Sequence, residues 1–312
     1  MDRSPLPVWE RDLERWLKPF LAGLRREEPR RWASVYLKGL SLPGERKSIE
    51  PMAARVAPGD VQQLHHFLST SPWAAAPLED ELTRQADQLV GGPDAVLVID
   101  DTALVKQGTH SVGVARQYCG QLGKRANCQA LVSPTLAQGE VPVCVALRLF
   151  LPKAWVGNEE RRAAAGVPPE IKGGSKGQIA PEELDRLIAQ GVRFGCVLGD
   201  AEYGKAAIFR HGLSARGLLW ALGLAPNQKV YPADVTLSWP APKPNGRARK
   251  HPVPSGRSVG VAALFKVLPE AAFRTLAWRR GTKGPLQAGF AAEGVGIADG
   301  AAMANPPHLP GD

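Results

Sequence analysis

The chain is poor in cysteine and has no long apolar run. Its 312 residues include four cysteines, Cys119, Cys128, Cys144 and Cys196. None of their spacings gives the paired Cys-x-x-Cys of a zinc site, so they are expected as reduced thiols in the core. No apolar stretch reaches the roughly 18 residues that a bilayer-spanning helix needs, and no membrane association is expected. The opening MDRSPLPVWERDLERW lacks the apolar segment of a secretory leader, which makes the cytoplasm the expected compartment. No internal repeat is present. Acidic residues are the scarcer charge, 30 against 39 Lys+Arg, for a net +9. A basic balance of this kind suits a polyanionic partner, although it also serves plain solubility.

What remains is enough to build a core, since 44% of the residues are hydrophobic. Residues 8 to about 90 have a helical texture. Trp9, Leu13, Trp16, Leu17, Phe20 and Leu21 recur at helical spacing. A second such stretch opens at Asp60, a suitable N-cap, and carries Val61, Leu64, Phe67 and Leu68, with His65 and His66 on its surface. Around residue 93 the texture changes. AVLVID (95–100) reads as a buried strand, and CQALVSPTL (128–136) with VPVCVALRLFL (141–151) reads as a hairpin across AQGE. After an excursion over 152–180, PEELDRLIAQG (181–191) reads as a helix with Pro181 in its first turn. FGCVLGD (194–200) is a further strand, followed by a short helix at about 204–214 and a strand in GLLWALGL (217–224). This order predicts an α/β domain with a mixed sheet. KVYPADVTLSW (229–239) adds strands within a Pro/Gly/Arg-rich stretch, and basic residues cluster in RREEPRR (25–31) and KPNGRARKHPVPSGR (243–257).

Two strands each deliver a carboxylate at their carboxyl end, Asp100/Asp101 from VLVIDDTALVKQG (96–108) and Asp200 from FGCVLGD. Ligands in open α/β sheets gather at these ends. If the two strands are neighbours about 5 Å apart, the carboxylates converge, and their repulsion calls for a cation. A divalent metal with oxygen ligands answers that need, and a pair of such ions suits hydrolysis of a phosphodiester. Side chains alternate across a strand, so either Asp100 or Asp101 faces the site, with Asp101 preferred because Thr102 follows it. Alternatively, the paired aspartates only open a loop and Asp200 only caps the next helix.

The segments VLVIDDTALVKQGTHSVGVARQYCGQLGKRANCQALVS and GVRFGCVLGDAEYG resemble DDE-superfamily insertion-sequence transposases. Within them, the likeness is to the subgroup in which an Asp-Asp-Thr block precedes KxGxHSVGVxRQYxGxxGKxxNCQ. SLPGERKSIEPMA (41–53) and QLHHFLSTSPW (63–73) are similar to the N-terminal region of that family. The resemblance implies a ribonuclease H-like catalytic domain, a mixed sheet with flanking helices, whose first aspartate lies on the first strand and second on the fourth. It also implies Asp101 and Asp200 as catalytic metal ligands for Mg2+ or Mn2+, with Asp100 as the alternative to Asp101. The implied reaction is strand cleavage at the element's ends and transfer of the freed 3′-hydroxyl to target DNA. The implied setting is a prokaryotic cytoplasm, associated with the nucleoid, with self-association on DNA. Lys106, Arg116, Lys124 and Arg125 are the candidate DNA contacts. With His110, Gln117 and Asn127 they form a basic, amide-rich block suited either to contacting phosphates or to ordering the active-site loop, with His110 as a hydrogen-bonding loop residue in preference to a catalytic base. Gly108, Gly113, Gly120 and Gly123 are expected in sharp turns.

The expected organisation is a helical N-terminal region at 1–90 with a role at DNA ends, a catalytic core at 91–225, a β-rich insertion at 226–285 and an irregular tail at 286–312. The family pattern also calls for a glutamate on a later helix. Glu202 comes too soon, Glu270 falls inside the insertion, and Glu293 lies in glycine-rich sequence. The third acidic ligand is therefore expected to be missing, as in a truncated copy with impaired chemistry. The alternatives are a remnant that at most binds DNA, or a ribonuclease H-like nuclease without strand transfer.

Overall fold

The computed structural model describes residues 8–44, 46–171, 173–239, 252–282 and 284–298. Most of the basic stretch at 243–257 and the final NPPHLPGD lie outside the described residues. The chain forms two compact units. One draws on residues up to 96 together with 133–147 and 183–194; the other takes 97–132, 148–182 and the residues from 195 onward.

The first unit opens with helices α1 (Val8–Ala22), α2 (Glu27–Ser41), α3 (Ile49–Val56), α4 (Val61–Ser69) and α5 (Ala76–Val90). Trp32, Met52, Ala53, Leu64 and Phe67 form its core. Gly39 lets α2 and α3 approach closely, because a Cβ there would sit 2.3 Å from Met52 Cγ. The predicted stripe of α1 is wider than the face that is buried. Leu17 is fully covered, whereas Trp9 and Trp16 remain 41% and 46% exposed. Asp60 does occupy the N-cap of α4, but its side chain makes no cap hydrogen bond and lies 3.9 Å from Arg31 instead. His65 and His66 are exposed, as expected. Asp87 of α5 accepts from the backbone N–H of Arg193 at 2.8 Å and pairs with its guanidinium at 3.0 Å.

Strand β1 (Val96–Val105) leads into the second unit, followed by β2 (Ala115–Cys119), β3 (Lys124–Gln138), β4 (Val141–Cys144) and β5 (Arg148–Leu149). Helices α6 (Lys153–Val156), α7 (Glu159–Ala164) and α8 (Lys176–Ala189) come next. They precede β6 (Cys196–Gly199), α9 (Ala201–Gly204), α10 (Ala207–Ala215) and β7 (Trp220–Leu222). The sheet runs β2-β3-β1-β6-β7, with β4 and β5 also paired to β3. Pairing is antiparallel for β2, β4 and β5 against β3, and parallel for β6 with β7. This is the expected mixed, ribonuclease H-like sheet, with β1 in the middle.

Two local expectations need correction, and one strand had no counterpart in the sequence reading. β1 does not stop at the aspartates but continues to Val105. The segment at 115–119, given no element above, is strand β2. Pro181 is internal to α8, which starts earlier at Lys176. Gln178 marks that start: its Oε1 accepts from the Ser175 N–H at 2.9 Å, the reach-back half of a capping box. Among the cysteines, Cys119 and Cys128 are buried as expected, whereas Cys196 is intermediate and Cys144 is exposed.

The later residues form small sheets. β8 (Lys229–Pro232), β9 (Leu237–Ser238), β10 (Val253–Pro254) and β11 (Val259–Gly260) precede helix α11 (Val261–Val267). β12 (Arg274–Gly281), β13 (Gly284–Phe290) and β14 (Val295–Ile297) follow. β8 lies between β11 and β14, β9 pairs with β10, and β12 with β13 forms an antiparallel hairpin. Among the described residues no helix is long and apolar enough to cross a membrane.

Candidate active site

The alternation of β1 separates its two aspartates. Leu97 and Ile99 are 0% exposed, and Asp101, two residues on, shares their face. Asp100 lies on the opposite, exposed face. Its Oδ1 accepts from the backbone N–H of Asp101 at 2.7 Å. Of the two, Asp101 is therefore the residue turned toward the neighbouring elements.

Asp200 follows β6, the strand beside β1. Gly199 runs close to β1, since a Cβ there would be 3.5 Å from Ile99 O. Asp200 is the N-cap of α9: its Oδ1 accepts from Glu202 N at 2.9 Å and Tyr203 N at 3.3 Å. The capping alternative raised from the sequence thus describes one of its oxygens, and no described residue donates to the other. Glycine sets the position of α9. A Cβ on Gly204 would fall 1.7 Å from Gly223 O, so the helix rests directly on the chain leaving β7.

Two residues that the sequence did not single out bring this geometry together. Tyr203 is 2% exposed, and its hydroxyl donates to Asp101 Oδ1 at 2.9 Å. Burial pushes its phenol far above the usual tyrosine value, and the charges of Asp101, Asp100 and Asp200 push it further, so it remains a protonated donor. Lys176 donates to Asp101 Oδ2, with the two side chains only 23% and 26% exposed. Its ammonium also lies 5.5 Å from the centre of the Phe150 ring. One tyrosine thus contacts Asp101 through its hydroxyl and Asp200 through its backbone, and one lysine neutralises Asp101.

The loop between β1 and β2 is shaped by side chains from later in the chain. Asn127 donates to Lys106 O at 2.8 Å and Gly108 O at 2.9 Å, and Gln129 to Val112 O at 2.6 Å. The buried Trp155 donates to Val114 O at 2.8 Å. Arg161, which stacks 3.9 Å from the Trp155 ring, donates to Thr109 O at 2.8 Å. Gly113 adopts φ +76°, and a Cβ there would approach Phe150 O to 3.0 Å. Gly123 is also left-handed, at φ +61°, whereas Gly108 and Gly120 have no positive φ. His110 sits exposed on this loop. Of the candidate DNA contacts, Arg116, Lys124 and Arg125 are exposed on the β2–β3 hairpin, and Lys106 is half-buried. Arg125 donates to Arg116 O at 3.0 Å, so it also braces the hairpin.

None of the three glutamates considered lies on a long helix. Glu202 is exposed in α9 and pairs with Lys205 at 3.2 Å. Glu270 begins a single 3-10 turn, and Glu293 is exposed outside any helix or strand. Among the described residues no group of three or more His, Cys, Asp or Glu side chains could hold a metal ion. The chemistry of Asp101 and Asp200 nevertheless suits a hard divalent ion. Both offer oxygen donors, Mg2+ accepts one or two protein carboxylates with water completing its shell, and Asp101 already holds a cation in Lys176.

Comparison with known proteins gives two findings. The family model for DDE superfamily endonucleases matches residues 19–285. The probable transposase for insertion sequence element IS701 of Microchaete diplosiphon is 29% identical over 191 residues, 61% of this chain. The chain spans about half the length of that relative, with 47% of it covered.

Proposed function

The chain belongs to the DDE superfamily endonucleases, a superfamily that works with divalent metal ions, and on that premise we propose that it is a transposase. In this role it cuts DNA at the ends of an insertion sequence and joins the freed 3′ ends to target DNA. The observation that carries the proposal is the meeting of Asp101 and Asp200 on Tyr203, from neighbouring strands. In the proposal, Asp101 and Asp200 hold Mg2+ or Mn2+, with Asp100 behind them.

When bound, two such ions supply the polarisation of the phosphate and the acidity of the attacking water. The protein's own part is orientation. Tyr203 fixes one oxygen of Asp101, the first N–H groups of α9 fix one oxygen of Asp200, and the rigid sheet sets the distance between them. Little reorganisation is then needed when charge develops on the phosphate. Lys106, Arg116, Lys124 and Arg125 lie on or beside the pinned loop and hairpin, where they would grip the DNA backbone. The helices of 1–90, with Arg25, Arg26, Arg30 and Arg31 in their most basic stretch, would engage the element's ends, and copies of the chain would assemble on that DNA.

A second reading has its own support. Because no three-ligand acidic cluster is present among the described residues, the chain would cleave weakly or only bind DNA. A plasmid excision assay with Mg2+ decides between them. Excision that disappears in both Asp101→Ala and Asp200→Ala supports the enzyme. Specific DNA binding without excision or nicking supports the binding-only form. Nicked products without joined strands would instead indicate a nuclease lacking strand transfer.

A further inference from the structure

Lys176 is a cation in a place where its own helix does not favour one. It is the first residue of α8, at the end where unpaired N–H groups carry partial positive charge and acidic residues are preferred. Asp101 is what holds it there. With Tyr203 on Oδ1 and Lys176 on Oδ2, both oxygens of Asp101 are engaged. A divalent ion approaching the same carboxylate would meet the ammonium as a like charge at short range, and such pairs disfavour one another strongly.

We propose that Lys176 is a built-in counter-cation that a divalent ion must displace from Asp101. The idea rests on the reading of Asp101 and Asp200 as a divalent-ion site. In the ion-free chain the ammonium keeps Asp101 from standing as an uncompensated, largely covered anion, a state that is costly. On loading, the lysine rotates away while α8 stays in place, because its flexible four-carbon stem moves the charge without moving the backbone. A tyrosine hydroxyl carries no charge and does not oppose the ion in this way. Tyr203 therefore stays on Oδ1 while Lys176 leaves Oδ2, which makes Lys176 a positioning residue that sets the ion concentration at which the site fills.

Mn2+ binding to the full chain, read from the electron paramagnetic resonance signal of the free ion, tests this without any DNA reaction. The proteins are wild type, Lys176→Met, Lys176→Arg, Asp101→Asn and Asp200→Asn. A charge at this distance changes occupancy of a carboxylate by about tenfold or more, so Lys176→Met should bind Mn2+ about tenfold more tightly. Lys176→Arg, which keeps the cation, should gain nothing, and both Asn variants should lose the site. In parallel, acetylation of Lys176 in the wild-type chain, followed by peptide mass spectrometry, should accelerate several-fold when Mn2+ is added. Unchanged or weaker binding by Lys176→Met, or labelling insensitive to Mn2+, overturns the proposal. If wild-type binding is still lost in Asp200→Asn, the ion site itself stands. Absence of Mn2+ binding in wild type and Lys176→Met alike overturns both. If Lys176→Met does not fold, the labelling result on the wild-type chain decides.

Discussion

The Tyr203 hydroxyl donates to Asp101 Oδ1 at 2.9 Å, across 102 positions of sequence. Phenylalanine at this position keeps the ring and removes the donor. A hydrogen bond to a charged group contributes about 1.5–3 kcal/mol, so Tyr203→Phe should lower stability by about 2 kcal/mol in urea denaturation while the circular dichroism spectrum is retained. A loss below about 0.5 kcal/mol would show that Asp101 finds another partner at little cost.

Gly204 permits the contact that seats α9. Alanine there would place a methyl 1.7 Å from a backbone oxygen, Gly223 O, and the backbone must move to admit it. Overpacking of this kind costs about 1–3 kcal/mol or more, so Gly204→Ala should lower the melting temperature clearly. Gly108 is the control: a Cβ there meets nothing within 4 Å, and Gly108→Ala should change stability by no more than about 0.5 kcal/mol.

The pinned loop gives a local test. Asn127→Ala strips the donor from two carbonyls, Lys106 O and Gly108 O, while β3 retains its ladder. Each lost bond is worth about 1 kcal/mol. Native-state proteolysis should therefore cut within 106–112 several times faster than in wild type, with the remainder of the digestion pattern unchanged.

Cys128 predicts an alkaline effect. It is fully buried, and burial, followed by the neighbouring Cys119, raises its thiol above the ordinary value of 9.0. Above about pH 9 the unfolded chain loses this proton while the folded chain keeps it. The unfolded state then binds fewer protons, and stability falls as pH rises; below that value the contribution is fully present. Urea midpoints measured from about pH 7.5 to 10 should fall less steeply in Cys128→Ala than in wild type.

For DNA binding, Arg116→Ala and Lys124→Ala should each weaken affinity for all sequences alike. Each should also reduce the slope of log K against log salt by about 1. Arg125→Ala should in addition destabilise the β2–β3 hairpin, because its guanidinium holds Arg116 O.

The order of the main elements could be read from the sequence because the signals were local. The apolar run 95–99, the Gly-containing turn at 139–140 and the helical spacing before residue 90 each declare themselves within a few neighbours. The extension of β1 past two aspartates was not legible, since aspartate is depleted in strands and a pair of them reads as a strand end. Nor was β2, whose residues ARQYC show no apolar–polar alternation in type, although the folded strand alternates between covered and exposed positions. The start of α8 did leave a trace: SKGQ at 175–178 fits the Ser-x-x-Gln capping pattern and would have moved the helix back to Lys176. For the site, the three aspartates were visible as acids at the ends of apolar runs. Tyr203 and Lys176 were not, because nothing in their neighbourhoods indicates that they meet Asp101. Trp155 and Arg161 were hidden in the same way, inside a stretch that reads as an irregular excursion.

Because β1 runs on to Val105, Asp101 is anchored in the middle of the sheet and not on a free end. Its Cα can shift only if the strands beside it shift too. Any exchange of partners at this carboxylate must therefore occur by side-chain rotation, on the nanosecond scale of rotamer hops, with no hinge to open and no segment to refold.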